Sequence, residues 1–490
     1  MQGKKQYQEK LFINFQLSDR VPEDNFYRRL KGFVDFSFLY KKTAKYYGRE
    51  GQQSIDPVVF MKLILVGYLE NLNSDRRIIN TAKMRLDILY FIGYDLDEEL
   101  PWHSTLSRTR QLYGQEVFTA IFKSVLKQCI DKGMIAGKRQ AIDGVYVKAN
   151  ASLDSMTERE ILDDAGEYGN ELEANKADDA PAIEMKCNKV ESNSGLKPKK
   201  NPHNKTHYNS SDPDAKMSVK PGKATALNYL GEVSVDTASH MITHIQAFTA
   251  DKRDSQYLPE VIENVIETLG ENGLIVEEVV ADTGFSSGEA LKSLEENKIT
   301  GYIPNRPQFV YERPGFIYNS EEDYYTCPNN KQLTYRGVYK DGDSFNKHYR
   351  ANLKQCNACP LKDTCTAHTP KQTLIKETVD RPYYVKMHLR MQSRKAKRLM
   401  KQRQSTVEPV IGTLVNYLGM KRVNTKGLLQ ANKCLTMAAV AYNLKKLLKH
   451  TASNVIANLQ ALKQAGKNCF LPRFSHFFNH KKWNEAINCF

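Results

Sequence analysis

The stretch QAIDGVYVKANAS, residues 140–152, decides the fold class. Its β-branched and aromatic residues predict a strand, and Asp143 lies inside that strand beside Gly144. A second carboxylate, Asp282, closes the run EEVVAD and is followed by a predicted strand-to-helix turn. The carboxyl ends of strands are where α/β sheets place ligand-binding groups. Both aspartates are therefore candidate functional residues.

Strands and helices are mixed after residue 140, which predicts an α/β domain. ALNYLGEVSVD and MITHIQAFTAD are predicted strands, and a helix is predicted from about Tyr257 to Leu269. The first 135 residues are predicted to be helical, with Asp56 as an N-cap before Pro57. The later helices of this part are equally typical of a helix-turn-helix module and of an ordinary helical bundle.

These patterns divide the chain into five predicted parts: a helical domain (1–135), the first α/β part (136–307), a cysteine-bearing β-rich segment (308–382), a helical part (383–450) and a basic tail (451–490). Within the α/β part, residues 153–223 are polar and contain few large apolar side chains. A segment that cannot bury apolar surface is expected to be largely flexible.

The charge favours a polyanionic partner. Lys and Arg number 71 against 56 for Asp and Glu, which gives a net charge of +15 and a pI of about 9.1. A basic protein with no nucleic-acid role remains the alternative at this point. The mean hydropathy of −0.56 argues against a membrane protein, and the longest apolar stretch, 58–69, is too short to span a bilayer. Because the N-terminus lacks the apolar segment of a signal peptide, a cytoplasmic location is expected.

A third carboxylate, Glu408, begins a predicted helical stretch directly after the basic run Arg394–Arg403. Each acid alone is weak evidence, because a strand aspartate is often only a cap or turn residue. Together they match a known chemistry: Mg²⁺ takes oxygen ligands, and two such ions can activate the attacking oxygen and stabilise the leaving one in phosphoryl transfer. A basic protein with acids in its sheet thus points to metal-dependent nucleic-acid chemistry.

The chain resembles the insertion-sequence transposases of the DDE superfamily, in a branch with a helical N-terminal domain. The order and spacing of several motifs carry the resemblance: LSDRVPEDNFYRRL, IDPVVFMKLILVGYL, SDRRI, PWHSTLSRTR, AIDGVYVKANAS, SDPDAKM followed by KPGK, VVADTGF, RQSTVEPVIGTL and GMKRVNTKG. They run from about residue 17 to residue 450, so the resemblance covers nearly the whole chain.

The resemblance implies an RNase H-like catalytic domain with a mixed sheet, in which Asp143, Asp282 and Glu408 hold Mg²⁺ or Mn²⁺. The implied activity is strand cleavage at the terminal inverted repeats of an element and strand transfer into double-stranded target DNA, carried out by a homo-oligomer. This sequence departs from the family at Met400, where a tyrosine is expected, and at Val415, where a basic residue is expected. The residues expected to contact DNA are Arg108, Arg110, Arg394, Lys397, Arg398, Arg403, Lys421 and Arg422.

Two other classes compete with this interpretation. The first is a non-catalytic DNA-binding protein, either a helix-turn-helix regulator or a domesticated transposase that binds ends without cutting. The second is an RNA-processing nuclease on the same fold, which is disfavoured because no RNA-binding module is visible. The three acids discriminate between the classes, because a pure binding protein has no need of them.

Four cysteines lie close together in the chain: Cys327, Cys356, Cys359 and Cys365. The C-x2-C pair within them suits tetrahedral Zn²⁺, and His368 is an alternative fourth ligand. The other interpretation is reduced thiols without a metal. We favour structural zinc in a small cysteine-bearing insertion, because so short a segment lacks the apolar content to hold itself together.

Overall fold

The computed structural model describes residues 5, 16–48, 50, 54–158, 203–219, 224–341, 344–369 and 372–468. The mixed α/β class is confirmed, with helices up to residue 131 and sheets with helices after it. The chain divides into two compact units, Met1–Asn443 and Leu444–Phe490. Most of the predicted basic tail, from residue 469 onward, lies outside the described residues. No helix in the described ranges is long and apolar enough to cross a membrane.

The N-terminal helices surround one apolar helix. Their bounds are α1 Leu17–Arg20, α2 Phe26–Phe33, α3 Phe38–Thr43, α4 Pro57–Leu69, α5 Asp75–Met84, α6 Leu86–Ile92, α7 His103–Leu112 and α8 Gln115–Asp131. Helix α4 is apolar on every side and largely buried, so it forms the centre of this part. The predicted N-cap is confirmed, because the Asp56 carboxylate accepts the N–H groups of Val58 and Val59 at 2.6 and 3.1 Å.

The central sheet is mixed, as predicted. The strands in this half of the chain are β1 Arg139–Lys148, β2 Met156–Glu158, β3 His207–Asn209, β4 Lys216–Ser218, β5 Ala226–Asp236, β6 Ile242–Thr249, β7 Glu278–Val280 and β8 Thr300–Tyr302. Strands β1, β7 and β8 are parallel, while β5 pairs antiparallel with β1, β4 and β6. The strand that carries Asp143 is therefore central, with neighbours on both sides.

Part of the segment predicted to be flexible is ordered. Residues 203–219 contain β3 and β4, and Asp212 is fully buried among them. The Asp212 carboxylate accepts the Tyr229 hydroxyl at 2.5 Å and the Gly427 N–H at 3.1 Å. These bonds attach the segment to the sheet. The prediction of a flexible segment is therefore wrong for residues 203–219. Residues 159–202 and 220–223 lie outside the described residues.

Helices pack around the central sheet: α9 Asp254–Gly270, α10 Gly288–Glu296, α12 Arg381–Met391, α13 Arg394–Tyr417 and α14 Leu428–Asn468. The short helix α11 Leu353–Asn357 belongs instead to the segment after residue 308. The beginning of the predicted helical part forms two helices, because α12 and α13 are separated at Gln392 and Ser393. Ser393 begins α13 by accepting the Ala396 N–H. Ala396 and Leu399 then pack on Val280 and Tyr302, which fixes α13 against the sheet.

A second sheet occupies the segment after residue 308, which is β-rich as predicted. Its strands are β9 Ile317–Asn319, β10 Tyr324–Thr326, β11 Gln332–Asp341, β12 Ser344–Arg350, β13 His368–Thr369 and β14 Gln372–Thr378. A small core of its own contains Tyr325, Leu333 and Tyr349, and two of the cysteines, Cys327 and Cys365, pack against it.

Helix α14 protects the outer edge of β6. The Asn432 side chain bonds both the N–H and the C=O of Ala247, at 2.8 and 3.1 Å, and Asn443 does the same for Ile242, at 3.0 and 2.8 Å. The distances along the two elements match, since the two asparagines lie about 16 Å apart along a helix and their partners about 16 Å apart along a strand. Backbone groups at this edge are thereby satisfied by side chains.

Candidate active site

Asp143 and Asp282 lie side by side at the end of two parallel strands. Ala141 of β1 pairs with Val280 of β7, so the two aspartates, each two residues further on, emerge next to each other. Arg403 of α13 joins them: its Nη2 lies 3.0 Å from Asp143 Oδ1 and 3.7 Å from Asp282 Oδ2. The Arg403 guanidinium is buried. Three distant segments thus meet in one ion-paired group.

Two further carboxylates belong to the site, and the sequence analysis missed both. Glu232 on β5 stands opposite Gly144, and Asp254 begins α9. Asp254 Oδ1 and Glu232 Oε1 lie 3.0 and 3.3 Å from the point that a Cβ on Gly144 would occupy. The available signal was the same as for Asp143, since Glu232 is a charged residue inside a mostly apolar strand. Nothing local in the sequence marks Asp254.

Two glycines keep the space between these carboxylates open. At Gly144 a side chain would meet Asp254 and Glu232. At Gly284 it would meet Asp282 Oδ1 and Asp254 Oδ2, 2.9 and 3.2 Å from the Cβ position. Asp282 also caps the short turn Thr283–Phe285, because its Oδ1 accepts the Gly284 N–H at 2.8 Å. The turn therefore directs this carboxylate toward Asp254.

The cluster carries more negative charge than its single arginine balances. Burial raises the pKa of Asp143 to about 6, with Arg403 opposing the shift and the charge of Asp282 adding to it. Burial, with the charges of Asp254 and Asp143, raises the pKa of Glu232 well above its usual range. No N–H or hydroxyl group among the described residues donates to either carboxylate oxygen of Glu232, and its neighbour is the carboxyl group of Asp254. Four carboxyl groups crowded around one buried guanidinium indicate a site that lacks positive charge.

The chemistry of this cluster fits a hard divalent cation. Every available donor is a carboxylate oxygen, which Mg²⁺ and Mn²⁺ prefer. No donor group bonds the Glu232 oxygens, and the absence of side chains at Gly144 and Gly284 leaves room for such an ion. In the described part of the chain, no three His, Cys, Asp or Glu side chains are already arranged to share a metal ion. The carboxylates would therefore have to close around the cation as it binds.

Glu408 lies outside these contacts. It is exposed in the middle of α13 rather than at a helix start, five residues after Arg403 and so about 140° around the helix from it. No ion pair or side-chain hydrogen bond within the described residues involves Glu408. Pro409 follows it inside the helix, and proline cannot donate the backbone bond to the residue four positions earlier. The helix is therefore weakened next to Glu408.

Most of the basic residues expected to contact DNA are on the surface. The exposed ones are Arg108, Arg394, Lys397, Arg398, Lys421 and Arg422. Arg422 also donates to Asn150 Oδ1 at 2.9 Å. Two expectations are corrected. Arg403 is buried between Asp143 and Asp282, as described above. Arg110 is 5% exposed and holds both oxygens of Asp75, at 3.0 and 2.5 Å, so it is not available to a phosphate.

The four cysteines line one small cavity of about 30 Å³. All four are free thiols. Two of their sulfurs accept hydrogen bonds: the Lys331 N–H donates to Cys327 Sγ at 3.3 Å, and the Asn329 amide donates to Cys359 Sγ at 3.4 Å. The structure thus places the four cysteines around one cavity, but in the described part of the chain no three of them are arranged to share a metal ion. Nothing is described for the side chain of His368.

Two protein families match the chain. The Transposase domain family (DUF772) matches residues 15–112, and the Transposase DDE domain family matches residues 326–448. The first match falls within the N-terminal helices, and the second includes both the cysteines and Glu408. These two matches on one polypeptide support a DDE-type transposase.

Solved transposase structures resemble the chain only distantly. The piggyBac transposase synaptic complex with hairpin DNA aligns with 94% of this chain and 88% of its own, at 10% identity and a TM-score of 0.29. The Mos1 transposase paired-end complex with the left transposon end aligns with 54% of this chain and 64% of its own, at 8% identity and a TM-score of 0.16. Scores this low carry no argument about the site. No curated protein matches the chain.

Proposed function

We propose that this transposase cleaves DNA strands at the ends of its element and joins the freed ends to target DNA by metal-dependent phosphoryl transfer. The observation that carries the proposal is the meeting of Asp143, Asp282 and Arg403 beside the buried Glu232 and the half-buried Asp254. In a protein with a net charge of +15, a cluster of carboxylates is explained if it binds a divalent cation that acts on a phosphodiester. The central sheet would then be an RNase H-like catalytic core.

Asp143 and Asp282 would hold the divalent cation, with Glu408 as the third ligand. When bound, the cation supplies a Lewis acid that lowers the pKa of an attacking water and stabilises the leaving oxygen. Arg403 balances the two aspartates while no cation is bound, because its guanidinium lies within ion-pair distance of both. Glu408 would have to turn toward the cluster, and the missing backbone bond at Pro409 lowers the cost of that bend.

The exposed cations of α13 would hold the DNA next to this site. Arg394, Lys397 and Arg398 are exposed on the same helix that delivers Arg403 to the aspartates. Phosphate contacts made there would fix the register of the strand relative to the carboxylates. We also propose a homo-oligomer on DNA, in which two copies of the chain would bring two element ends together.

A nicking assay tests this proposal. The substrate is a supercoiled plasmid that carries the gene with its natural flanking DNA, incubated with Mg²⁺ or Mn²⁺. We expect nicks at two flanking positions, and we expect Asp143→Asn and Asp282→Asn to abolish them. Asp251→Asn is the matched control, because Asp251 is exposed in the loop just before Asp254.

The assay also separates the rival function. A wild-type protein that binds the flanking DNA but leaves it intact with either cation would be a non-catalytic DNA-binding protein. Glu408→Gln tests the third ligand separately: unchanged nicking in this variant would remove Glu408 from the proposal while leaving the two aspartates in place.

We propose in addition that Cys327, Cys356, Cys359 and Cys365 hold a structural Zn²⁺. Their shared cavity supports this, as do the N–H groups that donate to two of the sulfurs, since such bonds stabilise thiolates. The small core of the second sheet would gain the most, because Cys327 and Cys365 pack directly against it. The metal would be structural, because none of the catalytic carboxylates lines this cavity.

A further inference from the structure

An open groove of about 520 Å³ adjoins the carboxylate cluster and leads toward the second sheet. Its walls carry five cations and one carboxylate: Arg253, Arg306, Arg313, Lys376, Arg381 and Glu377. Two aromatic rings, those of Phe309 and Tyr384, complete it. We call this the arginine-aromatic groove. None of its residues belongs to the proposed cation site.

Arg306 connects the groove to the catalytic cluster. Its Nη2 donates to the Gly284 carbonyl at 3.2 Å and to Ser255 Oγ at 3.4 Å. Gly284 follows Asp282 by two residues, and Ser255 directly follows Asp254. Arg253, on the other side of Asp254, also lines the groove. The groove is therefore directly adjacent to Asp254 and Asp282 of the carboxylate cluster.

The groove has a surplus of positive charge. Glu377 is buried and is shared by Arg313 and Arg381, at 2.9 and 2.7 Å, so one carboxylate faces two guanidinium groups. Lys376 pairs with Asp341, an exposed residue outside the lining. No ion pair within the described residues includes Arg253, which is exposed. Guanidinium groups in this arrangement suit the oxygens of a phosphodiester.

The aromatic rings in and beside the groove are already arranged by stacking. Phe309 lies against Tyr384 with ring centres 5.4 Å apart and an angle of 21° between the ring planes. The Arg381 guanidinium lies over Phe309 at 5.7 Å. Beside them, Tyr311 stacks on His388 at 4.5 Å. Flat rings between cations are the arrangement on which nucleic-acid bases stack while the backbone follows the charges.

We propose that the arginine-aromatic groove binds a short unpaired stretch of DNA next to the phosphodiester that is cut. The groove is comparable to a small-ligand site of roughly 300–1,000 Å³, which is far less than a turn of duplex requires. Bases within a duplex have both faces covered by their neighbours, so only an unpaired base can stack on Phe309. This inference rests on the proposed cleavage of DNA, and it adds that the DNA bound next to the cut is single-stranded.

The test compares single-stranded and duplex oligonucleotides of the same flanking sequence by fluorescence anisotropy, without divalent cations. Phe309→Leu removes the aromatic face and keeps an apolar side chain, and Arg253→Gln removes an exposed cation. We expect Phe309→Leu to weaken single-strand binding roughly ten-fold and to change duplex binding less than two-fold. Arg253→Gln should also weaken single-strand binding more than duplex binding.

Matched controls come from exposed residues elsewhere in the same unit. Tyr417→Leu removes an aromatic ring that is 66% exposed, and Lys127→Gln removes an exposed cation on α8. Both should bind single strands as the wild type does. Because Arg253 is exposed, its variant also keeps the test valid if Phe309→Leu should fold poorly.

A base analogue gives a second readout. An oligonucleotide that contains 2-aminopurine should lose fluorescence when its base stacks in the wild-type groove and retain it with Phe309→Leu. Equal weakening of both DNA forms, or no weakening of either, would overturn the groove assignment. Because no cleavage is measured, this result is distinct from failure of the nicking assay, which would instead refute the proposed function.

Discussion

Replacing Asp143 with asparagine should stabilise the metal-free protein at neutral and alkaline pH. Burial raises the pKa of this carboxyl from its usual 3.8 to about 6, a difference of roughly two units. At about 1.36 kcal/mol per unit, ionising Asp143 in the folded protein costs about 3 kcal/mol. The side chain is only 18% exposed, so solvent screens little of this cost. Asparagine is close in shape to the protonated acid and avoids the charge.

The pH dependence gives the sign. A carboxyl whose pKa is higher in the folded state holds its proton more tightly there, so its contribution to stability is full below the unfolded pKa and is lost as the pH rises through the folded pKa. The wild type should therefore lose about 3 kcal/mol between about pH 4 and pH 7 from this group. Asp143→Asn should be no more stable than the wild type near pH 4 and about 3 kcal/mol more stable near pH 8.

Urea unfolding followed by circular dichroism, in buffers with EDTA, measures this difference. Asp251→Asn, from an exposed position, should leave the unfolding midpoint unchanged at every pH. Adding Mn²⁺ at neutral pH should stabilise the wild type and not Asp143→Asn, because the cation supplies the charge that the cluster lacks. The explanation by uncompensated negative charge would be refuted if Asp143→Asn were less stable than the wild type near pH 8. It would also be refuted if the variant were stabilised by the same amount near pH 4 and near pH 8.

Three further outcomes are expected. Arg110→Ala should lower the free energy of unfolding by about 3–5 kcal/mol, because it leaves the Asp75 carboxylate poorly solvated and unpaired. The control Arg108→Ala, at an exposed position, should lower it by less than about 0.5 kcal/mol. Equal losses of stability in thermal unfolding would contradict the buried ion pair. Elemental analysis should find about one Zn²⁺ per chain in protein made without chelators, and Cys356→Ser should release it; finding none would exclude the zinc site. Duplex affinity should fall steeply with salt, and neutralising Arg394, Lys397 and Arg398 together should flatten the log–log slope by about three units, so an unchanged slope would place the DNA elsewhere.

The sequence predicted the two aspartates because their signal is local. Asp143 interrupts an apolar strand, and Asp282 stands where a strand gives way to a turn. Glu232 has the same local pattern as Asp143, but its role depends on the pairing of β5 with β1, which no short pattern reveals. Asp254 joins the cluster only because α9 begins at that point of the fold. Long-range pairing thus determined which acids the sequence could identify.

The errors have related physical causes. Arg110 lies on a polar helix, and the sequence of that helix does not reveal that Arg110 is buried and paired with Asp75 of α5. Residues 203–219 were expected to be flexible because they are poor in apolar side chains. They are ordered instead by polar bonds, such as those of Asp212 to Tyr229 and Gly427. Composition measures the apolar surface that a segment can bury and says nothing of such bonds.

The protection of β6 by α14 has a consequence during synthesis. Ala247 and Asn432 are 185 residues apart, and Ile242 and Asn443 are 201 residues apart. At a translation rate of about 5–20 residues per second, the ribosome needs roughly 10–40 s to make the asparagines after the strand has emerged. During that time the nascent chain carries an open sheet edge that can pair with another nascent chain on the same messenger. Truncated chains that end before residue 432 keep this edge open permanently, so we expect them to aggregate or to be degraded. The amount of intact protein in a cell would then depend on uninterrupted translation to the last helix.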